Sequence, residues 1–381
     1  MNTVCTKIKK IPSKALVMVL SLALVLSLLS GCAVDASKLT YLDETILVSG
    51  VTEGDLTVSI RELTALESVS EKAEGLRSNG DVVKFTAVGP TIDTFLAAYG
   101  KSRADYTGVR FSATDGFSVI IPKEVFERRD IVLAYMNGSK ALDKYNAPLR
   151  AIVVGERAMY WARMVDRIDF LTDADATLTN KIVFLDTVLP AMVGEYSEEE
   201  GGDIVSTIDL LTKYGGGSLN AGDKIYLKAY DGLKKAEMMD NFLKGFIKYT
   251  GEKTPQFCSP ELPEGMNMDG IVQLRAAGVT YFSLERASET YSVKEFDGQP
   301  GIAFSDINRE IGFVSTDAFR FELLDGSVKL APRNVMASGV FVKTDGRWSF
   351  IGPDGFEVTD FAFIEAVDPV MEQPEQEEQG G

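Results

Sequence analysis

The chain contains no histidine. Its absence removes the commonest general base and the commonest metal ligand, so Ser-His-Asp and Cys-His catalysis and histidine-based zinc sites are excluded. Cysteine is nearly absent too: there are three, at positions 5, 32 and 258. Their spacing fits no zinc motif. Positive charge is in short supply, with 39 Lys and Arg against 56 Asp and Glu and a formal net charge of −17. Such a surface repels nucleic acid, which excludes it as a partner.

What is present begins with a leader. Lys7, Lys9, Lys10 and Lys14 precede an apolar run from Ala15 to Leu29. The run suits a signal-peptide core and is short for a membrane span. It closes with Leu29-Ser30-Gly31-Cys32, which resembles the lipobox of bacterial lipoproteins. The resemblance implies a signal peptide over 1–31, a lipidated Cys32, a tether over 32–42 and a mature chain held at the outer side of a bacterial membrane by acyl chains. Cleavage would take away the four leader lysines, no acids and Cys5, leaving the mature chain at −21 with Cys258 as its one free thiol. A lone thiol forms no internal disulfide, and Cys258 reads as a small, partly buried thiol ahead of a redox or ligand role.

The remainder repeats itself. "FLAAYG" (95–100), "LLTKYG" (210–215) and "INREIG" (307–312) each carry apolar residues four apart and then glycine, the pattern of a short helix ended by a left-handed residue. The strands "VRFSA", "IYLKA" and "FRFEL" come next, and then Asp115-Gly116, Asp231-Gly232 and Asp325-Gly326. Each round ends in an apolar stretch. Recurrence of ordered features outranks any single motif. It predicts modules over 43–172 and 173–285 and a shorter third over 286–367. "TDADATLTN" and "SETYSVKEFDGQPG" read as polar links, "TALESVSEKAEGL" as helical, and 368–381 as a disordered acidic tail.

Module one resembles the oxidoreductase molybdopterin-binding domain of the sulfite-oxidase-like fold. The resemblance rests on an opening strand with Gly50, on Asp115-Gly116-Phe117, on Leu133-Ala134-Tyr135 with Asn137-Gly138, on Pro148-Leu149-Arg150 and on a closing strand after Trp161. It implies an α+β or mixed α/β fold of two to three tandem, strand-rich modules with short helices, and molybdopterin as the family's cofactor. It also implies a cysteine ligand for molybdenum between the first helix and the glycine-ended one. That interval, Lys72 to Pro90, contains no cysteine, and the histidine that holds phosphate and pterin in the family has no counterpart. Loss of a soft thiolate ligand removes the grip on such a metal.

Asp115, Asp231 and Asp325 are turn residues, the aspartate capping its own turn and glycine supplying positive φ. Arg103, Arg110, Arg128, Arg129, Arg150, Arg157, Arg163 and Arg167 gather in module one. Ion pairing with Asp130, Glu127 and Asp166 is the plainer account, and Arg110, Arg128 and Arg150 are the candidates for gripping an anion such as a pterin phosphate. Glu198, Glu199, Glu200 and Asp203 form a solvated loop, not a calcium site. The aromatics of the third module alternate along strands and belong to a core. The expected function is a membrane-tethered, non-catalytic binding or assembly module for a protein or an anionic small molecule. An oxidoreductase holding its cofactor without a cysteine ligand and a structural envelope lipoprotein are the rivals.

Overall fold

The computed structural model describes residues 39–369, apart from 78, 173–177, 216–222, 264, 266, 292 and 297, together with Gln373. The leader and Cys32 therefore lie outside the described residues. From Tyr41 the elements fall into three successive stretches, or rounds. The first round is β1 (Thr45–Ser49), β2 (Leu56–Ser59), α1 (Ile60–Thr64), β3 (Val69–Leu76), β4 (Val82–Gly89), α2 (Ile92–Ala98), β5 (Gly108–Ala113), β6 (Ser118–Pro122), α3 (Lys123–Phe126), β7 (Ile131–Ala134), β8 (Met136–Asn137), β9 (Lys140–Ala141), β10 (Arg150–Val153) and β11 (Val165–Leu171). The second is β12 (Lys181–Phe184), α4 (Leu185–Ala191), β13 (Glu195–Ser197), β14 (Gly202–Ser206), α5 (Thr207–Tyr214), β15 (Lys224–Ala229), β16 (Lys234–Met238), α6 (Met239–Phe242), β17 (Phe246–Lys248), β18 (Gln256–Cys258) and β19 (Ile271–Ala276). The third is β20 (Val279–Phe282), α7 (Leu284–Thr290), β21 (Val293–Phe296), β22 (Gln299–Ala303), α8 (Phe304–Ile311), β23 (Thr316–Leu323), β24 (Val328–Pro332), α9 (Arg333–Ser338), β25 (Val340–Thr344), β26 (Arg347–Ile351), β27 (Glu357–Thr359) and β28 (Phe361–Pro369).

The Asp-Gly pairs close the hairpins β5–β6, β15–β16 and β23–β24 with one geometry. Each aspartate accepts from the amide two residues on: Phe117 to Asp115 at 3.0 Å, Leu233 to Asp231 at 2.9 Å and Ser327 to Asp325 at 2.8 Å. Each glycine takes a positive φ, of 84°, 89° and 84°, which costs glycine little. The likeness extends across to the closing strands. The residue before each aspartate donates to a residue of positive φ that leads into β11, β19 or β28: Thr114 to Met164, Tyr230 to Gly270 and Leu324 to Asp360. Each of those strands then shifts register against β5, β15 or β23 within its first residues. A bulge bends its strand and strengthens the local twist.

Two sheets carry the architecture. The first has the order β2-β1-β11-β5-β6, with β1 parallel to β11. The second has eight strands, β16-β15-β19-β20-β12-β28-β23-β24. Its centre is an exchange. β20, which opens the third round, pairs with β19, which closes the second; β12, which opens the second, pairs with β28, which closes the third. β12 and β20 run parallel between them. Successive residues of β12 point to opposite faces, so Val183 enters one core with Leu189, Leu210 and Phe242, and Ile182 and Phe184 enter another with Leu284, Ile307 and Met336. Helices of the second round thus cover one face of the sheet and helices of the third cover the other.

Several elements differ from the sequence expectations. Residues 69–76 are strand, not helix. Only Ala73 and Gly75 of that stretch are buried, at a period of two, and all eight residues pair with β4. The stretch after Ser288 is the end of α7 and the hairpin β21–β22, not a link. From Val279, ahead of residue 286, to Pro369 the described residues form nine strands and three helices. Gly100 and Gly312 take the left-handed conformation after their helices, but Gly215 has φ −71°. There the glycine answers to crowding, since a Cβ would stand 2.3 Å from the carbonyl oxygen of Leu211. The segment 32–42 is not all tether, because Tyr41 is buried, donating to the Tyr135 carbonyl at 2.8 Å and accepting from the Leu142 amide at 2.7 Å. The tail from 368 is not wholly loose either. β28 continues to Pro369, and the Gln373 side chain donates to the Asp115 carboxylate at 3.1 Å and accepts from the Arg163 amide at 2.8 Å. The rest of the tail lies outside the described residues.

Candidate functional site

Lys72 to Pro90, where the family resemblance places a molybdenum-binding thiolate, is the β3–β4 hairpin and supplies no sulfur. Cys258 is buried at the end of β18, in the second round. Burial, with Glu200 nearby, pushes its thiol up to about 12, so it stays protonated near neutrality. A thiolate is the form that binds metal. Among the described residues no three His, Cys, Asp or Glu side chains converge as a metal site. The residues present do not fit a thiolate-held molybdenum.

The three arginines expected to grip an anion have separate partners. Arg128, exposed after α3, turns its Nε to the Glu124 carbonyl at 2.8 Å. Arg150, in β10, donates to Asn146 Oδ1 at 2.7 Å and lies over the Phe85 ring at 4.6 Å. Arg110, in β5, is 3% exposed and is committed to Asp169, its Nε donating at 2.9 Å. Other arginines of the first round are tied by pairs that sequence spacing did not name. Arg103 binds Asp93, Arg129 binds Glu156 and Arg167 binds Asp169, while Asp166 pairs with Arg309 of the third round.

Arg110 also reaches a different round of the chain. Its Nη2 donates to the carbonyls of Glu310 at 3.2 Å and Arg309 at 3.4 Å, and Arg275 donates to Ile311 at 3.0 Å. Two guanidinium groups therefore cap the carbonyl end of α8, where a helix carries partial negative charge. Nη1 of Arg110 has no hydrogen-bond partner among the described residues.

These groups floor the larger of the two described cavities, about 560 Å³, between the first sheet and the β16 end of the second. Asp169 lies beside Ser49 and Arg110 in register across β1, β11 and β5, accepting from Ser49 at 2.5 Å and from Arg167 at 2.7 Å. Burial alone would raise the Asp169 carboxyl; Arg110 and Arg167 win and hold it at about 2. Burial likewise opposes the charge of Arg167, and Asp169 and Glu310 more than restore it. Glu310, at the end of α8, contacts Arg167 at 3.2 Å and Lys228 more closely, and these cations keep it ionised against its burial. The facing wall is one side of β16, β15 and β19, with Lys234 opposite Lys228 opposite Gln273, and Ala236 opposite Tyr226 opposite Arg275. Five basic side chains (Arg110, Arg167, Lys228, Lys234 and Arg275) and four acidic ones line the cavity, a small cationic excess on an acidic chain. Lys235 turns to the other face of β16, toward Glu237 and Phe257.

The sequence exposed only the first-round arginines of this site. Arg110 and Arg167 stood out by density in module one. Lys228, Lys234, Arg275 and Glu310 were missed. Alternation in "IYLKA" does place Tyr226 and Lys228 on one face of a strand, but nothing local turns that face toward Arg110.

Residues 43–178 match the model of the family described as "Oxidoreductase molybdopterin binding domain". No curated protein sequence matches the chain. Among solved structures 30 chains match. One is the sulfane dehydrogenase SoxCD from Paracoccus pantotrophus, at 12% identity and a TM-score of 0.32, over 85% of this chain and 79% of that one. Over its first round of elements, then, the chain carries an oxidoreductase molybdopterin-binding-type domain.

Proposed function

We propose that the protein is a lipid-anchored, extracytoplasmic binding or assembly module, built from three related molybdopterin-binding-type folds and without catalytic chemistry of its own. The observation that carries this reading is the fate of the sulfur. The position that grips molybdenum in the family is here a cysteine-free hairpin, and the remaining thiol of the proposed mature chain is buried in another round and pushed up to about 12. Fold likeness does not transfer activity when the residues that bear the chemistry are missing. The leader and the Leu29-Ser30-Gly31-Cys32 segment support the address. The repeated turn, positive-φ and bulge geometry supports related modules.

Elemental analysis of the purified full-length protein tests the central claim. Molybdenum far below one atom per chain and no pterin fluorescence after denaturation are expected. Stoichiometric molybdenum would overturn it. Incorporation of labelled fatty acid, lost in Cys32→Ala, tests the anchor.

A further inference from the structure

We propose that the cavity between β5/β11 and β15/β16/β19 binds a small organic polyanion, a molecule carrying several carboxylates or phosphates. This extends the reading above from a binding scaffold to a defined site; metal content tests that reading, and ligand titration tests this one. Three observations converge. The volume, about 560 Å³, is that of a small-molecule site. The cation count exceeds what the acids can answer. Asp169 is shared by Arg110 and Arg167, Glu310 is shared by Arg167 and Lys228, and Lys234 has no ion-pair partner among the described residues. Asp55, 3.7 Å from Arg167 and about half exposed, and Glu53 sit on the loop after β1 at the rim. Finally, Lys234 stands directly opposite Lys228 on neighbouring strands. Like charges in that relation destabilise a sheet, and an anion lying across them would reverse the sign.

The polar groups of the floor are placed before any ligand arrives. Arg110 is held by Asp169 and by the end of α8, so little ordering is left to binding. The cationic excess at the Lys228–Lys234 wall raises the local concentration of anions. Gln273 and Tyr226 add a hydrogen-bonding edge and an aromatic face on the same wall as the lysines. Lys234 is exposed on the edge strand β16, so it can be changed without touching either core.

The test is calorimetric titration of the full-length protein in detergent with citrate and, separately, with pyrophosphate, at roughly 0.01 M ionic strength, where screening extends over about 30 Å. Saturable one-to-one binding of at least one probe is expected, and which probe binds distinguishes carboxylate from phosphate recognition. Lys234→Glu should weaken it by about tenfold or more, and Lys234→Ala should act in the same direction by less. Lys329→Glu makes the same charge change on β24, outside the cavity, and should leave it unaltered. Absence of saturable binding for both probes would overturn the proposal, as would binding weakened equally by Lys234→Glu and Lys329→Glu or by neither.

Discussion

Gly312 sits against the guanidinium of Arg110: a Cβ built on it would stand 2.2 Å from Nη1. One residue thus answers two demands. Its φ of 65° ends α8, and its bare Cα lets a side chain from the first round reach the carbonyls of the third.

The two demands separate by mutation. Gly326, with φ 84°, would place a Cβ in open space, with nothing within 4 Å, so Gly326→Ala should cost only the left-handed penalty, roughly 1–2 kcal/mol. Gly312→Ala adds displacement of Arg110 and should cost about 3 kcal/mol or more. Urea unfolding of the two variants checks the difference; equal losses would mean that Arg110 moves aside freely.

Stability should depend on pH through two buried carboxylates of opposite sense. Asp186, in the first turn of α4, accepts from the Leu284 amide at 2.5 Å and the Ser283 hydroxyl at 3.0 Å, yet burial pushes it from 3.8 to about 6. The native state therefore holds this proton more tightly than the unfolded chain. Its contribution is complete below about pH 4 and is lost as pH rises through 6, by roughly 3 kcal/mol. Asp169, held at about 2, contributes above about pH 4 and loses that contribution as pH falls through 2. Unfolding free energies measured at pH steps should show Asp186→Asn flattening the pH 4–6 interval. A slope unchanged by that substitution would rule Asp186 out as its source.

The three turn aspartates should not be equivalent. Asp115 and Asp231 each hold their own turn, but Asp115 also accepts from Gln373. Asp115→Ala should cost about 2 kcal/mol, and Asp231→Ala less. In a Gln373→Ala background the excess at Asp115 should shrink. A double-mutant cycle reads this directly, and zero coupling would place Gln373 away from the turn in solution.

Much of the fold was legible because its signals are local. Asp-Gly needs its own carboxylate and a residue free to take positive φ, and both are written in adjacent letters. Helix ends were less secure: Gly215 looks like Gly312 in sequence, but packing near Tyr281 and Leu211 fixes its role. The stretch 69–76 misled because exposed residues outnumber buried ones on a strand of which only Ala73 and Gly75 are buried. The cavity was partly visible for a different reason. Arg110 and Arg167 belong to one gathering of arginines in the first round, but Lys228 and Glu310 come from the other two, and no periodicity reports which sheet faces which.

The exchange at the middle of the eight-stranded sheet carries a consequence for truncation. Because β20 lies against β19 and β12 against β28, excising either later round would strip the other of its neighbour and open a fresh edge. Each of those two rounds therefore needs the other to close its part of the sheet, whereas the first keeps β1, β2 and β11 within its own borders.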